Sequence, residues 1–107
     1  MASFGKFIKD NREKNGWSQT EFGALLKINA PLISRIENDK KMLAPGKIKL
    51  LADIFKMKFD EVKDLYFADK FAKEAFENKC SDKVFTVAES ETVYLKQTNS
   101  KQGSLKF

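Results

Sequence analysis

Two helix starts written eleven residues apart constrain this chain more than anything else in it. Ser18 and Glu21 stand in S-x-x-E spacing, a capping box in which each residue satisfies an orphan backbone N–H of the other. Trp17 and Phe22 flank the box and can clasp across it as a hydrophobic staple. The spacing predicts a helix over Gln19–Leu26, with Phe22, Leu25 and Leu26 turned inward. Gly23 lies inside it, where glycine costs about 1 kcal/mol against alanine, so close approach of another helix is expected there. Asn29 then caps a second short helix, and Pro31 falls in its first turn, where a missing N–H does no harm. Ile33 and Ile36 are spaced for burial against Gly23 and Leu26. Ala30, Pro31, Ser34, Arg35 and Asn38 are left on the opposite face, and Asp39-Lys40-Lys41 forms a turn with two cations beyond them.

The remaining pattern is helical too. Ser3 caps a helix to about Asn15, with Phe4, Phe7 and Ile8 in one stripe, and Asn15-Gly16 ends it with a pair that tolerates left-handed backbone. Pro45 opens a helix to Phe55, with Ile48, Leu51, Ala52 and Phe55 inward. A longer helix follows from Asp60 to about Asn78, through Val62, Leu65, Tyr66, Phe71, Ala72, Ala75 and Phe76. The segment Ser81–Lys96 carries β-branched and aromatic residues that favour strand. Its Val84, Val87, Ala88, Glu91 and Leu95 nevertheless share a helical face behind a plausible cap at Ser81, and helix is the reading adopted. The tail Gln97–Phe107 is polar and expected to be mobile, with Leu105 and Phe107 as docking candidates. The expected class is all-α: five helices over residues 1–66, then a helical extension over 67–107.

Composition narrows the function. Of the net +5 charge, the first 66 residues carry 13 Lys+Arg against 9 Asp+Glu, and the remainder carries 7 against 6. The excess lies with the paired short helices, as an electrostatic footprint on DNA requires, although a soluble lysine-rich surface would look the same. There is no histidine and one cysteine, Cys80, which rules out an internal disulfide and a histidine-based catalytic or zinc site. Cys80 is expected to be half-buried. The carboxylates are scattered, no phosphate-cradling glycine loop is visible, and neither cofactor, metal nor enzymatic activity is expected. No apolar run approaches the roughly 20 residues of a membrane span, and no signal peptide is visible, so a reducing cytoplasm is expected. Ten phenylalanines are many for a domain this small, and a surplus on the surface would point to a partner.

Gln19, Phe22, Gly23, Leu26, Ile28, Ile33 and Ile36, with the string ISRIEN at Ile33–Asn38, resemble the helix-turn-helix pattern of the phage-repressor (Cro-like, Xre-type) regulators. The resemblance covers about Phe4–Leu65. It implies a five-helix DNA-binding domain in which Arg12 and Glu37 pair in a partly buried salt bridge. The family commonly has glycine where this chain has Lys27, and polar residues where it has Ala30 and Pro31. Neither Ala30 nor Pro31 can hydrogen-bond a base through its side chain, though small apolar groups can touch thymine methyls.

The implied partner is double-stranded DNA, with the Asn29–Asn38 helix in the major groove. Gln19 is then a candidate for phosphate contact or an ordinary exposed residue; Arg35 a bidentate guanine reader or a salt-bridge partner of Asp39. Ser34 can serve base or phosphate, and Asn38, Lys40 and Lys41 the backbone. Dimerisation on half-sites is expected, with Phe67, Phe71, Phe76, Val84 and Tyr94 as surface candidates, each of which could instead pack within the chain. The C-terminal run is similar to extensions on Xre-type regulators found beside DNA methyltransferases, so control of a restriction–modification locus is one expectation. An antitoxin-like protein that binds a partner and regulates its own operon is the alternative.

Overall fold

The computed structural model describes residues 3–102, with side chains described through Asn99. The helices are α1 (Phe4–Lys14), α2 (Gln19–Leu26), α3 (Ala30–Glu37), α4 (Ile48–Phe55), α5 (Phe59–Glu77) and α6 (Val84–Gln102). There is no strand among the described residues. The all-α class expected from the pattern is the class observed. A single 3-10 turn, Pro45–Lys47, precedes α4 where a continuous helix from Pro45 was expected. Proline fixes the first φ but cannot donate, and Lys47 N–H closes the tighter ring onto the Ala44 carbonyl at 2.9 Å.

The chain divides into two compact units, one running to Phe71 and the other beginning at Ala72. The division falls within α5. In the first unit α2 packs on α3 and α4, and α1 packs on α3. Phe4, Ile8, Phe22, Leu26, Ile33, Leu51 and Val62 are fully buried among them. Aromatic rings run in an unbroken chain through this core. Trp17 stacks on Phe22 at 6.0 Å between centroids, Phe22 on Phe55 at 5.5 Å, and Phe55 meets the edge of Phe7 at 5.9 Å. Phe7 lies 5.4 Å from Phe4, which makes an edge contact with Tyr66 at 5.3 Å. Edge-to-face and offset rings are attractive beyond their burial. The buried Tyr66 hydroxyl donates to the Leu43 carbonyl at 2.6 Å, tying α5 to the loop after α3, and burial pushes its pKa up.

Leu25 is a correction. It was expected to face inward and is 44% exposed. On α2 the buried set is Phe22, Gly23 and Leu26, and Leu25 lies about 100° away from the middle of that arc.

The helix ends share one device. After α1, α2, α3, α4 and α5 the chain turns through a left-handed residue: Gly16, Lys27, Asp39, Lys56 and Lys79. Each turn closes with the same pair of bonds. At α2, Ile28 N–H donates to the Gly23 carbonyl at 2.9 Å and Lys27 N–H to Ala24. This is the Schellman motif, which satisfies two terminal carbonyls at once. Four of the five ends use a side-chain-bearing residue at positive φ, which costs about 1–2 kcal/mol relative to a right-handed conformation.

In the second unit α6 begins at Val84, not at Ser81, whose carbonyl accepts from Val84 N–H at 3.0 Å. The helix reading of Ser81–Lys96 holds from Val84 onward. A lone strand would leave its backbone polar groups unpaired, whereas a helix pairs its own. The helix runs to Gln102, so the tail from Gln97 is helical over its first part; Leu105 and Phe107 lie outside the described residues. Cys80, expected to be half-buried, is exposed.

Candidate nucleic-acid interface

Local capping sets the start of both short helices. Ser18 Oγ accepts from Glu21 N–H at 3.0 Å, and Glu21 Oε1 accepts from Ser18 N–H at 2.9 Å. The Ser18 backbone N–H first, and its hydroxyl second, hold the Glu21 carboxyl below its usual pKa. Asn29 Oδ1 accepts from Leu32 N–H at 2.9 Å and opens α3. Between them Lys27 takes φ 61°, the turn where a glycine is commoner in the resembled family.

Gly23 explains why the two helices can sit so close. A Cβ on it would lie 2.4 Å from the Ile28 carbonyl oxygen and 3.5 Å from Ile33 Cγ1. The approach expected at this glycine therefore comes first from the turn and then from α3. Gly5 plays the matching part on α1 and was not singled out from the sequence. Its added Cβ would lie 2.4 Å from the Ile36 carbonyl oxygen and 2.8 Å from Asp39 Oδ1. Gly5 lies in the first turn of α1, where the cost of an interior glycine does not flag it as it flags Gly23.

Behind α3 sits a polar clamp. Arg12 Nε donates to Glu37 Oε2 at 2.6 Å and Nη2 to Oε1 at 3.0 Å, while Nη1 donates to the Trp17 carbonyl at 2.9 Å. The Glu37 side chain is 1% exposed and that of Arg12 11%. The Glu37 bonds raise the Arg12 pKa. Gln19 Nε2 joins the pair by donating to Glu37 Oε1 at 3.1 Å. One carboxylate therefore ties α1 and the start of α2 to the end of α3. Gln19 is neither a plain exposed residue nor wholly committed inward: it is half-buried, and one of its two amide N–H groups is used.

The opposite face of α3 is open. Asn29, Pro31, Arg35 and Asn38 are exposed, and Ala30 and Ser34 are half-buried. Lys6–Asp10, Arg12–Glu37 and Lys49–Asp53 are ion pairs, and Arg35 belongs to none of them. Asn38 Nδ2 donates back to the Ser34 carbonyl at 2.8 Å and reaches Ser34 Oγ at 3.5 Å. Lys40 and Lys41 are exposed in the loop that leaves the helix. The structure thus gathers Asn29, Ala30, Pro31, Ser34, Arg35 and Asn38 on one capped helix with two cations at its exit. Gln19 is joined to that helix through Glu37.

Of the candidate dimer residues, Phe67 is half-buried against the first unit's core, 5.0 Å from Tyr66, and Phe71 is 5.8 Å from Phe67. Phe71 is half-exposed, Phe76 is 85% exposed and Tyr94 60%, while Val84 is half-buried. Phe85, Val87 and Val93 are exposed as well.

Two capped helices across a left-handed turn, the second braced from behind and open in front, make a helix-turn-helix. The helix-turn-helix family model matches residues 8–62, about half of the chain, and the chain belongs to that family, as a Cro-like (Xre-type) DNA-binding transcriptional regulator. No curated protein and no solved structure gives a significant match to it. No helix among the described residues is long and apolar enough to cross a membrane.

Proposed function

We propose that the protein binds a palindromic operator as a homodimer and regulates transcription from it, with α3 in the major groove. The observation that carries this reading is the contrast between the two faces of α3. Ile33, Ile36 and Glu37 are buried, whereas Arg35 is exposed and outside the ion pairs named above. An exposed guanidinium outside those ion pairs, in the last turn of α3, suits bidentate contact with guanine O6 and N7, worth about 1–3 kcal/mol of discrimination. Ser34 would support it at base or phosphate. Gln19, with its second amide N–H and the neighbouring backbone N–H groups, would take a phosphate. Asn29, Asn38, Lys40 and Lys41 would hold the sugar-phosphate backbone on either side.

One helix reads only a few base pairs, so a second copy supplies specificity through half-sites about 34–36 Å apart. Phe67, Phe71, Phe76, Val84 and Tyr94 remain the candidates for that contact. Exposed aromatic and β-branched side chains on α5 and α6 support association with protein, and they would equally suit a heterologous partner in an antitoxin-like role.

The test is selection of bound fragments from random duplex DNA, followed by Arg35→Glu. A two-fold symmetric consensus is expected, and the variant should lose it while remaining folded and dimeric. Unchanged affinity in Arg35→Glu would remove α3 from the groove. A stable complex with a second protein species, and no consensus, would favour the antitoxin-like reading.

A further inference from the structure

We propose that the first turn of α3 reads the 5-methyl group of a pyrimidine, about two base pairs from the guanine taken by Arg35. The inference rests on the groove placement above and specifies what that placement recognises. Pro31 has no N–H, and the Leu32 N–H is already taken by Asn29 Oδ1 at 2.9 Å. The outward side chains of the turn, Ala30 and Pro31, hold no polar atom. A guanine, adenine or cytosine edge placed against them would be desolvated without gaining a partner, which disfavours it. The major-groove feature that gains from an apolar neighbour is the methyl on pyrimidine C5. Recognition helices present their N-terminal residues to the base edges, which is where this apolar turn lies.

The polar end follows one turn later. Asn38 cannot offer its amide freely as an adenine reader, because its Nδ2 is turned back onto Ser34. Direct polar readout therefore falls to Arg35 and Ser34. Pro31 and Arg35 are four residues apart, about 6 Å along the helix axis, against about 3.4 Å per base pair. The methyl and the guanine are thus separated by about two steps. Thymine and 5-methylcytosine carry the same group at the same position, and the shared chemistry is the 5-methylpyrimidine.

The test uses the full chain and the consensus duplex recovered by selection. Replacing a consensus thymine with deoxyuridine deletes only the methyl, and affinity should fall about fourfold, the value of one buried methylene. In Ala30→Gly, which leaves Pro31 in place, the deoxyuridine penalty should shrink; an undiminished penalty in that variant counts against the Ala30 contact. Placing cytosine opposite guanine at the same position, with and without a 5-methyl, separates the two sources. A gain on methylation supports the reading for either pyrimidine, and no gain overturns it for cytosine. A consensus whose thymines can all become deoxyuridine without loss overturns the methyl readout alone. Recovery of no consensus, with weak binding to every duplex, overturns the groove placement itself. The deoxyuridine arm needs no variant, so a failure of Ala30→Gly to fold does not shield the proposal.

Discussion

Arg12 and Glu37 lie 25 residues apart and meet as a two-pronged buried pair, Nε to Oε2 at 2.6 Å and Nη2 to Oε1 at 3.0 Å, directly behind the exposed face of α3. Neither charge can be removed alone without stranding the other, while apolar replacement of both can be nearly neutral. Glu37→Ala should therefore cost about 3–5 kcal/mol in urea unfolding. Arg12→Met combined with Glu37→Leu should recover most of it. A single variant within about 1 kcal/mol of the parent would show that the pair does not brace the helix.

The glycines give a second comparison. Gly5→Ala and Gly23→Ala each place a methyl 2.4 Å from a backbone carbonyl oxygen, at Ile36 and Ile28 respectively. Backbone cannot step aside as a flexible side chain can, and each substitution should cost about 1–3 kcal/mol. Gly46→Ala, whose new methyl meets nothing within 4 Å, is the control and should be close to neutral. Thermal melts of the three variants rank them directly.

Positive-φ lysines allow a gain. Lys56 sits at φ 57° in a Schellman turn where glycine carries no Cβ penalty. Lys56→Gly should raise stability by about 1 kcal/mol. Lys27→Gly, at φ 61°, should do the same. Equal or lower melting temperatures would mean that glycine's extra freedom in the unfolded chain cancels the relief.

At the exit of α3, Lys40→Ala and Lys41→Ala should each weaken binding to every duplex alike. Each should also lower the slope of log affinity against log salt by about 0.9 if it neutralises one phosphate. A salt titration of both variants on matched and random DNA decides this. A slope identical to the parent's assigns both cations to solvent.

The capping box predicts a pH effect of definite sign. The folded-state pKa of Glu21 is below its ordinary 4.5. Its contribution is therefore complete above that value and is lost as pH falls through the lower folded value. Glu21→Gln keeps a side-chain acceptor for Ser18 N–H but cannot titrate. Melting temperature followed downward from pH 5 should decline less steeply in that variant. Parallel curves would show that the box does not contribute to the acid limb.

Much of this molecule was readable before folding. The starts at Ser18 and Asn29, the burial of Phe22, Leu26, Ile33 and Ile36, and the open positions at Pro31 and Arg35 all follow from residues three or four apart on one helix. Such relationships are set by helix geometry and travel with the local chain. Other facts were decided only when distant segments met. Leu25 lies outside because the core approaches α2 along the Phe22–Gly23–Leu26 arc. Gly5 matters because the end of α3 presses its carbonyls onto it from 31 residues away. Gln19 gained an inward bond because Glu37 arrives beside it. Periodicity names the face that will be buried, but only the tertiary contact decides which polar group and which backbone oxygen it will meet there.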